Sequence, residues 1–373
     1  MALIRVTIDA VPLLVRSAGV KNYLYYWTKY LRKEAAGVAD IRLFPFLGEA
    51  AWLDHEGSVT SPVMTLARLG ALFFLNRIPN NLTGWTDPKV DVFHTCKLLY
   101  PPKRAKLTAT IHDMTCWLLP ETHSAINVAA DHNFAERILK RADALIAVSE
   151  ATRQDAMRIL KLSEEKVRVI HHGVAQAFFD VTAAECDAAR RRLGLARPYV
   201  LFVGTIEPRK NIARLLDAYA ALPQSTREEF DLVLAGPPGW AQSETMARLR
   251  DPIPGVRYLG YVAEQDMPGL FAGATALVYP SLYEGFGFPV AQAMAAGSPV
   301  ITSNVSSLPE IAGDAAMLID PLSESALRDA LQEVLTSPSR RETMSAKGRT
   351  NARRFTWQRA ARESLDFFTK AVG

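Results

Sequence analysis

Two cations stand side by side in VGTIEPRKNI, where Arg209 and Lys210 lie between an apolar run and the helical pattern NIARLLDAYAAL. A guanidinium and an ammonium beside the exposed N–H groups of a helix start make a site for phosphate. The competing reading is a solvated basic pair, but cations are disfavoured at a helix N-terminus unless an anion offsets them. Further along, SLYEGFGFPVAQAMAAGSPVITS sets an acid, Glu284, before a Gly-Phe-Gly-Phe-Pro turn. Gly285 and Gly287 let the backbone approach a ligand and present N–H groups to it. Pro289 suits the first turn of the helix that follows. The turn is not a dinucleotide fingerprint, since the third glycine is missing and the acid precedes it.

His112 and Asp113 in TIHDMT close another apolar run, so the imidazole could meet a sugar or an acceptor group; a structural role is equally open. His94 in DVFHTC has a similar place with less support, and His171 and His172 in VIHHGV read as packing or surface residues. Absences narrow the chemistry. The chain has no Asp-x-Asp triplet, no GxxxxGK[ST] loop, no GxSxG elbow and no His–Cys cluster at metal spacing. Phosphate charge must then be met by side-chain cations and helix termini, without a metal. Cys96, Cys116 and Cys186 are odd in number and widely spaced, as expected of free thiols in a reducing cytosol.

Strand ends and helix starts must hold these groups. Short β-branched runs alternate with helical patterns: LIRVTID, IRLFPF, VDVFH, KLTATI and ALIAVS, then YVLFVG, DLVLAG, VRYLG, ALVYP, PVITS and AMLID. Near-continuous apolar strands indicate parallel sheets buried on both faces. The restart after Arg197 implies two doubly wound α/β domains, 1–195 and 196–356, joined near GLARP. FTWQRAARESLDFFTKAV is amphipathic, with Phe355, Trp357, Leu365 and Phe368 as anchors, and supplies a closing helix over 357–373. In open α/β sheets ligands meet the loops at the carboxyl ends of strands. VGTIEPRKN, AGPPGW, LGYV, YPSLYEGFGFP, IHDMT and DAVPLLVRSAGVKNY all occupy that position.

At 373 residues, 49% hydrophobic and 22% charged, the chain is long enough for two cores and too apolar for disorder. Its first residues read as a strand and not as a signal peptide, which favours a cytoplasmic protein. The longest apolar run, MTLARLGALFFL, is too short to span a bilayer and contains Arg68. Extended to Arg77, it reads either as a basic amphipathic segment lying on a membrane or as a helix packed on its own sheet. The first 195 residues hold 25 Lys and Arg against 20 Asp and Glu. That small excess suits an anionic partner or membrane surface and equally suits ordinary scatter.

SAGVKNY, TIHD, RADALIAVSEATRQD, VGTIEPRKNI, FTWQRAA and the block YPSLYEGFGFPVAQAMAAGSPVITSNVSSLPEIAGDAA together resemble a retaining glycosyltransferase of family 4. The resemblance runs over nearly the whole chain, and the block from Tyr279 to Ala316 is its most specific part. It implies the GT-B fold, with two Rossmann-like doubly wound parallel-sheet domains facing each other across a cleft. The first domain would bind the acceptor and the second the nucleotide sugar, and the last helix would pack back on the first. The branch most resembled builds O-antigen and exopolysaccharide chains with mannose- or rhamnose-like sugars. The implied reaction moves such a sugar from a nucleoside diphosphate to a hydroxyl of a saccharide or lipid-linked saccharide. It implies no metal or other cofactor and no nucleic-acid partner, with peripheral attachment at the inner face of the plasma membrane left open.

The same resemblance implies roles. Arg209 and Lys210 would hold the diphosphate and Glu284 the hydroxyls of the transferred sugar. The backbone of Gly285, Phe286, Gly287 and Phe288 would cradle sugar and phosphate. Gly19 would let the first domain approach the phosphate, and His112 would contact or orient the sugar. Gly204, Thr205 and Val262 would complete the nucleotide-sugar site. The pattern departs at Gln292, where the family has a Glu that holds the ribose hydroxyls. Glutamine can accept and donate, but it forgoes a charge-assisted bond about twice as strong as a neutral one. A non-catalytic nucleotide-sugar-binding partner subunit is therefore the alternative, and an epimerase of similar fold a third reading.

Overall fold

The computed structural model describes residues 3–14, 19–44, 90–96, 105–239, 244–251 and 253–373. The amphipathic stretch at 64–77 lies outside them. The first sheet contains β1 (Ile4–Asp9), β2 (Ala39–Phe44), β3 (Val92–Thr95), β4 (Lys106–Ile111), β5 (Ala144–Ala147) and β6 (Val167–Val169). All pairings are parallel, in the order β2-β1-β3-β4-β5-β6. The second contains β7 (Tyr199–Val203), β8 (Asp231–Ala235), β9 (Val256–Gly260), β10 (Ala276–Tyr279), β11 (Val300–Ser303) and β12 (Ala316–Ile319). It is also parallel, in the order β12-β11-β10-β7-β8-β9.

Burial follows sheet position. The inner strands β8, β10 and β11 are buried at every residue, while the edge strand β9 is half-buried throughout. Continuous apolar runs are what strands covered on both faces require. The sequence patterns locate eleven of these strands; β6 escapes them. It is a three-residue edge strand between Lys166 and Ile170 with Arg168 at its centre, too short to show a pattern.

The chain divides into two compact units, residues 1–117 with 125–173 and 356–373, and residues 118–124 with 174–355. The division falls earlier than the boundary expected at residue 195, because residues 174–195 pack on helices of the second unit. Ala189 in the helix Ala183–Arg192 is buried, and an added Cβ on Gly269 would lie 2.8 Å from the Ala189 Cβ. Arg192 also pairs with the nearly buried Asp266. The strand series restarts at β7, but the helix leading into β7 already belongs to the second core.

In the first unit, the helix Gly19–Glu34 packs on the closing helix Trp357–Val372. Trp27 donates its indole N–H to Ser364 Oγ at 3.0 Å in a fully buried bond. Tyr23 stacks on Trp27 with centroids 5.1 Å apart, and Trp357 and Phe368 complete the aromatic layer. Glu34 receives Arg362 and Gln358 at the exposed edge. Arg362 draws the Glu34 carboxyl below its usual range, followed by Gln358.

Gly173 marks where this layer admits no side chain. A Cβ there would sit 2.1 Å from the Trp357 backbone N and 2.6 Å from the Thr356 carbonyl carbon. Both obstacles are backbone, so relief requires shifting the start of the closing helix. Overpacking typically costs about 1–3 kcal/mol. Gly173→Ala is expected at the upper end, about 3 kcal/mol, read as a fall in the urea midpoint at unchanged slope. A wild-type midpoint would show that the closing helix is not seated this tightly.

Candidate active site

A parallel sheet binds ligands where its strand order reverses, in the crevice outside the carboxyl ends. In the second sheet that point lies between β7 and β10, which pair directly through Leu277 and Leu201. The loop after β7 carries Arg209 and Lys210, and the loop after β10 carries Glu284. Topology thus brings together three residues that the chain separates by more than seventy positions.

The local backbone differs from the expected helix start. Pro208–Lys210 forms a single 3₁₀ turn, Asn211 follows in the left-handed region at φ 59°, and the helix begins at Ile212. The N–H groups of Lys210 and Asn211 donate to the carbonyls of Glu207 and Pro208 at 3.0 Å, so they are not offered to a ligand. Around this turn the side chains of Arg209 and Lys210 are the groups left to meet an anion. Asn211 anchors the turn by donating to the carbonyls of Pro280 at 3.0 Å and Pro321 at 2.7 Å. Leu282 N donates to the Arg209 carbonyl at 2.9 Å, tying the two loops together.

At the junction four charges meet. Lys210 Nζ lies 2.7 Å from Glu284 Oε1, and Arg209 Nη1 lies 3.0 Å from Glu284 Oε2. Arg209 Nη2 lies 2.7 Å from Glu207 Oε1, and Lys210 also donates to the Tyr279 hydroxyl at 2.7 Å. Lys210 and Glu284 are each 7% exposed and Glu207 5%. Burial alone raises the Glu284 carboxyl, but Arg209 and then Lys210 overcome it and hold it at about 2. Burial and the neighbouring Arg209 draw the Lys210 ammonium below its ordinary range, against the pull of Glu284. Burial and the Glu284 charge push the Tyr279 phenol well above its usual range, so it stays neutral.

The loop after β11 fixes Glu284 from the other side. Glu284 N donates to Ser306 Oγ at 2.9 Å, and Ser307 Oγ donates to the Glu284 carbonyl at 2.9 Å. Thr302 Oγ1 donates to the Tyr279 carbonyl at 2.8 Å. Glu207, Tyr279, Asn211, Ser306 and Ser307 were not singled out by residue type. The available signal was position alone, since each follows or ends a strand adjoining the switch point.

The remaining residues expected at the site in this unit follow β7, β9 and β10. Gly287 takes φ 91° and caps the helix Phe288–Ala296, and a Cβ on it would meet Leu308 Cδ2 at 2.8 Å. The Phe286 ring packs edge-on against Phe288 and Phe355, at 5.3 and 5.6 Å, so only its backbone can serve a ligand. Gln292 is half-buried on that helix. Gly204 precedes half-buried Thr205, and a Cβ at Gly204 would stand 3.7 Å from Lys210 Cε. Val262, just past β9, is buried.

His112 and Gly19 belong to the first unit. His112 directly follows β4, its ring edge-on to Tyr23 at 5.0 Å and 5.9 Å from the ring of His172. Burial, then His112 and His171, hold His172 well below the usual imidazole range, so it is neutral. Asp113 accepts from Thr115 N and Oγ1 at 3.0 and 2.6 Å, a turn-stabilising role. His94 is a core residue: fully buried, 3.0 and 2.9 Å from the hydroxyls of Thr108 and Thr110, and lowered by burial to about 3. Gly19 opens the first helix, and an added Cβ there meets nothing within 4 Å.

Two family profiles match in succession: Glycosyltransferase Family 4 over residues 17–178 and Glycosyl transferases group 1 over residues 187–351. The chain is 34% identical over 286 residues to O-antigen chain mannosyltransferase B of Escherichia coli, covering 76% of this chain and 75% of that one. It is 27% identical over 279 residues to the serotype-specific mannosyltransferase WbdA of Escherichia coli, covering 72% of this chain but only 34% of the relative. The crystal structure of HepE from Anabaena in complex with UDP and glucose superposes with a TM-score of 0.72 at 20% identity, over 99% of this chain and 100% of that one. The two parallel sheets are those of the GT-B fold. With both profiles spanning its two halves and a relative of this identity over three quarters of its length, the chain belongs to glycosyltransferase family 4.

Proposed function

We propose that this glycosyltransferase moves mannose from a nucleoside diphosphate to a hydroxyl of a saccharide or lipid-linked saccharide in O-antigen-type chain synthesis, with retention and without a metal. The observation that carries the reading is the meeting of Arg209, Lys210 and Glu284 at the switch point of the second sheet. The names of the two relatives, both mannosyltransferases, support the sugar. In the reaction the bond from the anomeric carbon to the diphosphate oxygen breaks as a bond to the acceptor oxygen forms on the same face. The acceptor proton passes to the departing phosphate oxygen. Negative charge grows on the diphosphate, where Arg209 and Lys210 offset it as preorganised donors. Glu284, ionised at neutral pH, accepts from sugar hydroxyls while keeping both cations in register.

The test is product analysis with purified protein, mannose acceptors and GDP-, UDP-, dTDP- and ADP-linked sugars. The expected product is an α-linked glycoside from an α-linked donor, formed equally in excess EDTA. Inversion, or a loss in EDTA that a divalent ion restores, would overturn those parts of the reading. Tight nucleotide binding without any transfer would favour the non-catalytic partner subunit that Gln292 suggests.

Lys210→Ala is expected to lower turnover about a hundredfold or more, since removing one such donor costs about 3–4 kcal/mol. Arg209→Ala should cost less, because Lys210 and its anchoring hydroxyl remain. Near-wild-type kcat in both variants would remove the diphosphate assignment.

Gln292→Glu tests the ribose contact. Hydrogen bonds to charged groups contribute about 1.5–3 kcal/mol against about 1 for neutral ones, and desolvating the new carboxylate takes back part of the gain. At 1.4 kcal/mol per decade, the dissociation constant of the nucleoside diphosphate should fall by about threefold to tenfold. Weaker binding by calorimetry would show instead that Gln292 is fitted to a donor of its own.

A further inference from the structure

Glu207 has no place in the reaction as described, yet it is a nearly buried carboxylate two and three residues before the cations that would hold a diphosphate. As a charge it works against that task, because it repels an anion and costs desolvation. Its position suggests a geometric reason. Arg209 spans two carboxylates, with Nη2 2.7 Å from Glu207 and Nη1 3.0 Å from Glu284, and its side chain is only 12% exposed. Glu207 also accepts Lys210 N at its carbonyl, at 3.0 Å. One residue therefore holds the side chain of one cation and the backbone of the other.

Resting on the transferase reading above, we propose that Glu207 is a positioning residue for the transfer. Its carboxylate holds one end of the planar guanidinium, so that Arg209 does not rotate wholly onto Glu284 and close its fork on that acid. Arg–carboxylate pairs are directional as well as strong, and a 1 Å misplacement of a catalytic group costs on the order of a hundredfold. The held pose keeps both cations apart, each with one Glu284 oxygen, where a diphosphate can exchange for part of that contact. Tyr279 does for Lys210 what Glu207 does for Arg209, but with a neutral group.

Charge and geometry make opposite forecasts for Glu207→Gln. Removing a negative charge from the cluster favours anion binding, whereas replacing the ion pair by a weaker neutral acceptor loosens the hold on Arg209 and harms turnover. The experiment measures kcat and KM for sugar transfer, calorimetric binding of GDP, UDP, dTDP and ADP, and thermal unfolding, for wild type, Glu207→Gln and Glu207→Asp. The expected result for Glu207→Gln is a kcat lower by about 10- to 100-fold, with nucleoside diphosphate binding equal to wild type or tighter. Glu207→Asp keeps the charge on a shorter arm and should restore part of kcat. If Glu207→Gln does not fold, a lowered kcat with intact binding and melting in Glu207→Asp supports the proposal. Unchanged kcat in the folded variants overturns it, as does a kcat loss that only parallels weaker nucleotide binding. Wild type that binds none of the four nucleotides and transfers nothing would overturn the functional reading, and this inference with it.

Discussion

The contact on which the site depends is the bridge that Glu284 makes between Lys210 and Arg209. Isolated charges at this depth cost several kcal/mol each in lost hydration. Here each has a partner: two cations, two carboxylates and a neutral phenol satisfy one another within 2.7–3.0 Å. Such a cluster is stable only if the strands beneath it are in register and the loops above it are held. The pairing of β7 with β10 supplies the first condition. Asn211, Ser306 and Ser307 supply the second, each by a hydrogen bond between loops, and Thr302 adds one between β11 and β10.

Close backbone approach is the other part of that support. The loops after β7 and β8 run against one another, with Ile206 bridging Pro238 and Gly204 N donating to the Ala235 carbonyl at 2.9 Å. Gly236 sits at φ 146°, and a Cβ on it would fall 2.0 Å from the Gly204 carbonyl oxygen. Glycine at 236 is therefore a requirement of loop packing, and it places the backbone of Gly204 beside Lys210. The glycines of this rim act on the site through the chain path they permit.

The fold was legible because its strands are buried on both faces, and such strands leave apolar runs in the sequence. β6 was not, since a three-residue edge strand carries no run. The charged centre was legible in part. Arg209, Lys210 and Glu284 stand out as charges beside glycine and proline, and the structure brings them together. Glu207 looks like an ordinary loop acid in sequence, and Ser306 and Ser307 like ordinary turn residues. Their roles exist only once the β7, β10 and β11 loops are adjacent. The turn geometry was also hidden: Lys210 and Asn211 spend their N–H groups inside a 3₁₀ turn, which no pattern of residue types announces. The boundary between units was misplaced for a related reason, as the restart of strands at β7 says nothing about which core receives the preceding helix.

A cluster already neutral in itself raises the question of how it would attract a diphosphate. An ammonium has three N–H donors and a guanidinium five, and Lys210 commits two of its three, to Glu284 and Tyr279. The internal acids hold the cations in place without exhausting them. An anion with several charged oxygens in fixed relation can engage both cations at once, while a single-point anion must compete with Glu284 for each. Discrimination is a difference between affinities, and the internal carboxylates lower the affinity for weak anions more than for a ligand that bridges Arg209 and Lys210. A site built from bare cations would bind more strongly and choose less well. On this argument the buried acids would serve selectivity, and the ion pairs with Arg209 and Lys210 offset the cost of burying them.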